Sequence, residues 1–249
     1  MRQSQTLADR SGGQIEVRLH IGDDWLVPLV EAALWWPDEE TLIVSDLHFE
    51  KGSAYAAKSG QLLPPYDTSA TLARVEALCQ RLSPKRVISL GDSFHDGEAE
   101  LRLCNSDQAR ICALTDAFDW YWVEGNHDPD PPVHLGGTPL AEWRCRSLVF
   151  RHEPTGETGE IAGHLHPVAK VKGRGRAVRR KCFITNGDSL VLPSLGAFTG
   201  GLNVRDPAFT DLYPEGGSVF VVGKDRVIPV PSKSLLSDTL RPANGVWRL

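Results

Sequence analysis

The chain has 249 residues, of which 41% are hydrophobic and 24% are charged, and its formal net charge is −5. These values are typical of a globular protein and exclude a wholesale polyanion binder, while leaving room for a local basic patch. No apolar run approaches the roughly 20 residues of a membrane helix, and the polar N-terminus predicts no secretory signal. The five cysteines are scattered, with no Cys-x-x-Cys pair, so we expect reduced thiols in a cytoplasmic protein that binds no membrane.

Short apolar runs rich in β-forming residues recur along the chain and are separated by helical or polar segments. The pattern predicts strands at 15–19, 25–30, 42–44, 86–90, 120–123, 147–150, 182–185, 218–222 and 226–230. The last two strands bracket Gly223 to Asp225 and are typical of a hairpin.

Helical periodicity is strongest between the third and fourth predicted strands. There, four apolar residues recur at spacings of three and four: Leu72, Val75, Cys79 and Leu82. Asp67 or Thr68 is a candidate N-cap, and Pro84 stands just beyond the end. A weaker helical pattern covers about 98–118.

Strands alternate with helices early in the chain and stand alone late, which predicts an α/β protein with mixed sheets. There is no internal repeat and no low-complexity linker, so we expect a single domain over 1–249. We also expect a polar N-terminal tail (about 1–14) and a loosely held C-terminal tail (about 232–249).

The most informative pattern is the position of polar residues just past the apolar runs. Five such segments in succession lead into Asp, Asn or His: Asp46 and His48, Asp92, Asn126 to Asp128, His152, and His164 and His166. In open α/β sheets, ligand sites lie beyond the carboxyl ends of the strands, so these side chains are expected to converge. In an extended chain, residues two apart point to one side, so Asp46 and His48 can address one ion.

The chemistry of this set indicates a metal site. Carboxylate, amide and imidazole ligands suit first-row divalent ions, and no cysteine joins the set. The pattern also includes Gly91, Gly125 and Gly163, which fit tight exits from strands where the backbone must turn or approach a ligand.

The same residues carry a family resemblance. The chain contains, in order, the motifs Asp46-Leu-His48, Gly91-Asp92, Gly125-Asn-His-Asp128, a lone His152 and Gly163-His-Leu-His166. This set resembles that of the calcineurin-like metallophosphoesterases. The resemblance implies two mixed β-sheets packed as a sandwich, flanked by helices, with two divalent metal ions between the strand ends.

The resemblance also implies a role for each residue. Two ligand sets share Asp92: Asp46, His48 and His166 for one ion, and Asn126, His152 and His164 for the other. A hydroxide between the two ions would attack the phosphodiester. His127 would protonate the leaving group, with Asp128 orienting its ring.

Longer stretches resemble one branch of the family, the bacterial ligase-associated metallophosphoesterases. The matching segments are 46–52, 60–67, 89–96 and 196–202. The resemblance implies a DNA repair enzyme that uses Mn²⁺, with Fe or Zn as alternatives. Such an enzyme would cut single-stranded DNA internally and work beside other repair enzymes such as a ligase.

A basic strip agrees with a nucleic-acid substrate. Seven basic residues fall within twelve positions: Lys170, Lys172, Arg174, Arg176, Arg179, Arg180 and Lys181. Such a strip suits a polyanionic strand, although a solvated hairpin would show the same alternating charges. The candidate substrate contacts are Arg179 and Arg180 from the strip, with Asn126, His95 and Lys51 beside the predicted ligands.

Two other functions remain open at this point. One is a phosphoesterase for small nucleotides, such as cyclic nucleotides or dinucleotide polyphosphates. The other is a non-catalytic, metal-bound scaffold in a repair complex.

Overall fold

The computed structural model describes residues 16–59, 66–173 and 175–238, which contain sixteen β-strands and five α-helices. The strands form two mixed sheets, of seven and nine strands, so the predicted fold class is confirmed. Four of the predicted features lie outside the described residues: the N-terminal tail, the segment 60–65, Arg174 and the last part of the C-terminal tail, 239–249.

The strands of the first sheet follow one another in chain order. They are β1 (Leu19–Ile21), β2 (Asp24–Pro28), β3 (Leu34–Trp36), β4 (Thr41–Val44), β5 (Arg86–Leu90), β6 (Asp119–Val123) and β7 (Thr138–Leu140). Strands β1 to β4 pair antiparallel and β4 to β7 pair parallel. The first predicted strand is displaced, because β1 begins only at Leu19. Strands β3 and β7 were not predicted, since each has only three residues.

The second sheet holds the remaining strands. They are β8 (Trp143–Cys145), β9 (Leu148–Arg151), β10 (Glu160–Ala162), β11 (Val168–Lys172), β12 (Ala177–Thr185), β13 (Leu190–Val191), β14 (Ser218–Val222), β15 (Val227–Val230) and β16 (Leu235–Leu236). Their order is β15-β14-β12-β13-β10-β9-β8, with β11 between β12 and β16. Strands β9, β10 and β13 are parallel. The predicted hairpin of β14 and β15 is present, and β11 and β12 form the hairpin of the basic strip.

The predicted loose C-terminal tail is wrong for its first residues. A short 3₁₀ helix, Ser232–Ser234, leads into β16, which pairs antiparallel with β11. The Asn203 side-chain amide also donates a hydrogen bond to the Leu236 carbonyl at 3.1 Å. This end of the chain therefore completes the edge of the second sheet.

The helices are α1 (Lys51–Ser59), α2 (Asp67–Leu82), α3 (Ala99–Arg102), α4 (Asn105–Ala117) and α5 (Pro207–Leu212). Helix α2 confirms the periodic pattern, and the weaker pattern divides into α3 and α4. The predicted cap of α2 is wrong, because Tyr66 occupies the N-cap position. Asp67 and Thr68 instead accept hydrogen bonds from the amides of Gly52 and Glu50, both at 2.8 Å. They thereby tie α2 to the start of α1, a helix that was not predicted.

The apolar side chains form three packed layers. One lies between the two sheets, a second between the first sheet and helices α2 and α4, and a third between the second sheet and α5. Strand β4 contributes to two of them, with Ile43 facing the other sheet and Leu42 and Val44 facing the helices. Burial on both faces explains its unbroken aliphatic sequence and makes it a rigid support for the residues that follow. Among the described helices, none has the length and apolarity to cross a membrane.

Candidate metal centre

The polar residues that follow the parallel strands meet at one site, as the sequence predicted. Asp46 and Asp92 follow β4 and β5 of the first sheet, while His152 and His164 follow β9 and β10 of the second. Contacts across the site join the two sheets: His166 Nε2 lies 2.9 Å from Asp46 Oδ1, and His152 Nε2 lies 3.4 Å from Asp92 Oδ1. The carboxyl ends of both sets of strands therefore line a shared centre.

The backbone at this centre differs from the extended geometry that the sequence suggested. Five of the predicted ligands have left-handed φ angles: Asp46 (52°), His48 (46°), Asp92 (46°), His164 (66°) and His166 (43°). This conformation is uncommon for residues other than glycine, although Asp and His adopt it more readily than most. Each such residue costs about 1–3 kcal/mol, so the surrounding structure must impose it.

Hydrogen bonds between neighbouring strand ends impose this conformation. The His48 amide donates to the Asp92 carbonyl at 2.9 Å, and the Asp46 amide donates to the Gly91 carbonyl at 3.3 Å. The His164 amide donates to the Asp46 carboxylate at 3.2 Å. A glycine is required at Gly125, because a Cβ there would collide with the Asp92 amide nitrogen. The ligand side chains are thus aimed by tightly packed turns rather than by strand alternation.

The first group of candidate ligands is Asp46, His48 and His166, whose ligand atoms lie within 4.8 Å of one another. Asp46 is fully buried. Burial alone would raise the pKa of its carboxyl, but the charge of His166 and its hydrogen bond outweigh that effect and hold the pKa below its usual value. Asp46 is therefore an anion at neutral pH. Burial also lowers the pKa of His48 to about 3, so this imidazole is neutral, as a metal ligand must be.

The second group is Asp92, His152 and His164, again within 4.8 Å. The Asn126 side-chain oxygen lies 3.0 Å from His152 Nε2, which places the amide at the same point. Burial would lower the pKa of His152, but Asp92 and Asp46 outweigh burial and raise it to about 9. The buried carboxylates thus require a positive charge here, which a bound cation can supply in place of a proton.

The residues present fit two divalent ions. Both ring nitrogens of His48 are buried without a hydrogen-bond partner among the described residues, which is costly unless a lone pair binds an ion. His152 Nδ1 donates a hydrogen bond to the Leu90 carbonyl at 2.9 Å, which leaves Nε2 directed at Asp92 and Asn126. The combination of carboxylate, amide and imidazole suits first-row divalent metals.

His127 lies at the edge of this centre, with its side chain 41% exposed. Its backbone amide donates to Asp92 Oδ1 at 2.9 Å, and its ring stacks on His95 with centroids 5.2 Å apart. Asp128, the predicted orienting residue, contacts the backbone that follows β5. Asp128 Oδ2 accepts hydrogen bonds from the amides of Ser93 and Phe94, at 2.8 and 3.0 Å. The carboxylate therefore shapes the turn after β5, and the His95 carbonyl orients the His127 ring at 2.8 Å.

The predicted substrate contacts fall in different places. Lys51 is half-buried at the start of α1, where the negative charges of Asp46 and Asp92 act on it. His95 stacks between His127 and Tyr55. The two arginines separate: Arg179 donates to the Gly201 carbonyl at 2.7 Å, whereas Arg180 is the neighbouring residue of β12 and points to the opposite face. Arg180 therefore lies on the face of β12 that also carries the buried Cys182, away from the metal centre.

Sequence reasoning missed the role of the loop 196–202. The Gly196 amide donates to the Asp46 carbonyl at 3.2 Å, and the Leu202 amide donates to the His166 carbonyl at 3.2 Å. The loop therefore runs from one ligand of the first group to another. Lys181 of β12 supports the loop, because its Nζ donates hydrogen bonds to the carbonyls of Ser194 and Gly196 at 2.6 and 3.2 Å. The glycines at both ends of the segment were the available signal.

An open cleft of about 400 Å³ adjoins the second group. Its walls are Glu124, Gly125, Asn126, Ala141, Glu142, Arg151, His152 and Glu153. Three of these side chains are acidic, and Arg151 is already engaged by Glu142, Glu157 and Glu160. The centre thus has an acidic side at the second group and a basic side near the first.

Comparisons with known proteins agree with this geometry. The model of the calcineurin-like phosphoesterase family matches residues 40–198, which include every candidate ligand. The crystal structure of the Pseudomonas putida nuclease MPE superposes with a TM-score of 0.67 at 28% identity, covering 86% of this chain and 100% of that one. The E. coli phosphoesterase Yfce covers 76% of this chain and 97% of its own, at 14% identity and a TM-score of 0.39, too distant to support an argument. A search of curated proteins found no significant relative. Because the family model spans well over half of the chain and its metal-ligand groups are assembled in the fold, the chain belongs to the calcineurin-like phosphoesterases and is a metal-dependent phosphoesterase.

Proposed function

We propose that this phosphoesterase is a Mn²⁺-dependent endonuclease that cuts single-stranded DNA internally. The observation that carries the proposal is the basic face beside the first ligand group. Strand pairing sets Lys170 opposite Arg179 and Val168 opposite Lys181, so the three basic side chains share one face of the β11–β12 hairpin. This face borders the loop 196–202 and so continues from the metal centre. The similarity to the P. putida nuclease supports the same class of substrate.

The charges favour one path for a polyanionic strand. The basic face attracts phosphates, while the cleft walls Glu124, Glu142 and Glu153 repel them. A strand that reaches the metal centre would therefore lie over the hairpin and the loop rather than in the cleft. An open surface of this kind suits an extended nucleic-acid strand better than a small nucleotide, because small molecules are bound in enclosed pockets.

The residues have distinct roles in the proposed reaction. Asp46, His48, Asp92 and His166 would hold one ion, and Asp92, Asn126, His152 and His164 the other. Two bound divalent ions supply an activated water and neutralise negative charge on the phosphate. His127 would act as an imidazolium: its Nδ1–H stays hydrogen-bonded to the His95 carbonyl, and its Nε2 proton would pass to the departing oxygen. Lys51, His95 and Asn126 would contact phosphate oxygens. We also propose that the enzyme works beside other DNA repair enzymes, such as a ligase.

Circular single-stranded DNA tests the proposal. The protein, stripped with a chelator and reloaded, is assayed with Mn²⁺, Fe²⁺, Zn²⁺ and Mg²⁺ on circular DNA and on a small aryl phosphodiester. Linear products with Mn²⁺ support the endonuclease. Turnover of the small diester without cleavage of circular DNA would refute it and favour a small-nucleotide substrate. Retention of cellular repair function by the Asp92→Ala protein would instead indicate a non-catalytic scaffold.

A further inference from the structure

The loop 196–202 carries an exposed aromatic side chain that the phosphoesterase chemistry does not use. Phe198 is 50% exposed and has a φ angle of 56°. A bulky residue in the left-handed region is a genuine conformational outlier, which persists only where the surrounding contacts impose it. Half of the Phe198 surface remains exposed, so packing alone does not explain an apolar ring in this strained loop.

The loop that presents Phe198 is held by two neighbouring elements, helix α2 and strand β12. From helix α2, the Thr71 hydroxyl accepts a hydrogen bond from the Ala197 amide at 3.0 Å. Arg74 of the same helix donates to the Leu195 carbonyl at 3.0 Å. From β12, Lys181 Nζ lies 3.2 Å from the Thr199 hydroxyl. The ring is therefore displayed on a preorganised support, which lowers the entropy cost of binding anything against it.

The position of the loop relates Phe198 to the substrate path. The first residue of the loop donates a hydrogen bond to the Asp46 carbonyl, and the last donates one to the His166 carbonyl. The loop therefore lies beside the first ligand group. On its other side, the Gly201 carbonyl accepts the hydrogen bond from Arg179 of the basic face. The loop that carries Phe198 thus lies between the first ligand group and the basic face of the β11–β12 hairpin.

We propose that Phe198 stacks on an unpaired base next to the scissile phosphate and selects single-stranded over double-stranded DNA. A base in a duplex is already stacked on its neighbours and cannot offer its face to the ring, whereas every unpaired base can. Stacking of this kind is independent of sequence, because all four bases have a π-face. This inference rests on the proposed function and names the group that would read the substrate.

The test compares wild type with Phe198→Ala, Phe198→Leu and the control Ile228→Ala. Ile228 is another exposed apolar residue, 43% exposed, on β15. Stacking of one base predicts that Phe198→Ala lowers the ratio of kcat/KM on a single-stranded oligonucleotide to that on the aryl diester by roughly 5- to 150-fold. Phe198→Leu should recover little of the loss, because it restores apolar bulk without a ring, and Ile228→Ala should keep the wild-type ratio.

An abasic substrate separates stacking from a structural role. Replacing the base beside the cleaved phosphate should reduce wild-type kcat/KM as much as Phe198→Ala does, and should cost the variant nothing more. Equal losses on oligonucleotide and aryl diester, or an undiminished abasic penalty in the variant, would overturn the inference. Fluorescence anisotropy of oligonucleotide binding separates failure of the endonuclease proposal from failure of the stacking inference. If the wild type binds the oligonucleotide but does not cleave it, the endonuclease proposal fails. Stacking is then supported if Phe198→Ala binds more weakly than the wild type, and overturned if it binds equally well.

Discussion

The ring nitrogen Nδ1 of His127 lies 2.8 Å from the backbone carbonyl oxygen of His95. A carbonyl can only accept, so Nδ1 carries the proton, and Nε2 is the atom left to exchange a proton with a substrate. The two rings also stack at an interplanar angle of 19°. The backbone carbonyl thus holds the Nδ1–H of His127, while Nε2 lies 3.9 Å from Asp92 Oδ2.

His127→Gln should therefore slow hydrolysis in a way that depends on the leaving group. Loss of a general acid costs roughly 10²- to 10⁴-fold when the departing alkoxide needs a proton, and much less when a stable aryl oxide departs. The measurement is kcat/KM on a series of diesters graded by leaving-group pKa. His134→Gln, at an exposed histidine on a short 3₁₀ helix, is the matched control. A loss of the same size on every diester would contradict the assignment.

Metal content should distinguish residues of one ligand group from the residue shared by both. His48→Ala removes a ligand of the first group only, so bound Mn²⁺ should fall from about two ions per chain to about one. Asp92→Ala disturbs both groups and should reduce the content further. Elemental analysis after desalting gives these numbers, with His134→Ala as the control. Equal metal content in His48→Ala and wild type would show that His48 is not a ligand.

Removing the ions should also destabilise the fold. The buried carboxylates of Asp46 and Asp92 then lose the cations that compensate them. Each ion present at 100 times its dissociation constant contributes about 2.7 kcal/mol to the free energy of unfolding. The Tm of the chelated protein should therefore rise on titration with Mn²⁺, and the rise should be smaller in His48→Ala. A Tm that does not respond to Mn²⁺ would be inconsistent with a buried metal centre.

The sequence predicted which residues meet at the centre better than it predicted their geometry. Asp46 and His48 were found because polar residues end a buried aliphatic run, a pattern that survives any local backbone conformation. Their left-handed φ angles could not be predicted, since they depend on hydrogen bonds to Gly91 and Asp92, some 45 residues later in the chain. The backbone contacts of Asp128 could not be predicted for a similar reason, because the amides that donate to it belong to Ser93 and Phe94, at another strand end.

Three further features have local explanations. Arg179 and Arg180 are adjacent in a strand, so alternation alone places them on opposite faces. Helix α1 was missed because its pattern is weak: among residues 51–56, only Gly52 and Ala54 are buried, and the start of the helix is held by Asp67 of the next helix. The loop 196–202 contains no ionisable residue, so its glycines indicated a close approach but not a role.

The opposite directions of the two arginines make them a matched pair for DNA binding. Arg179→Gln should weaken binding of a single-stranded oligonucleotide and reduce the slope of log K against log salt concentration by about 0.7, the value for one phosphate contact on single strands. Arg180→Gln removes the same charge from the far face of β12 and should change the slope less. Titration by fluorescence anisotropy across a range of salt concentrations measures both. Equal slopes for the two variants would mean that the strand does not follow the basic face.

The support of the loop 196–202 predicts a specific dependence of stability on pH. Burial, with the charge of Arg74, lowers the pKa of Lys181 from 10.5 to about 8. Between pH 8 and pH 10.5 the unfolded chain therefore holds a proton that the folded chain has released. The free energy of unfolding must rise with pH in this window, and below pH 8 the cost of burying the charge is constant.

Comparison with Lys181→Met isolates this contribution, because other groups that titrate in the same window cancel in the difference. The wild-type free energy of unfolding, minus that of Lys181→Met, should increase from pH 8 to pH 10.5 in urea denaturation experiments. Lys233→Met, which removes an exposed lysine, is the control for the loss of one positive charge. A difference that stays constant across the window would show that Lys181 is not desolvated in the fold. In that case the hydrogen bonds from its Nζ to Ser194 and Gly196 would not be the support that holds the loop beside the metal centre.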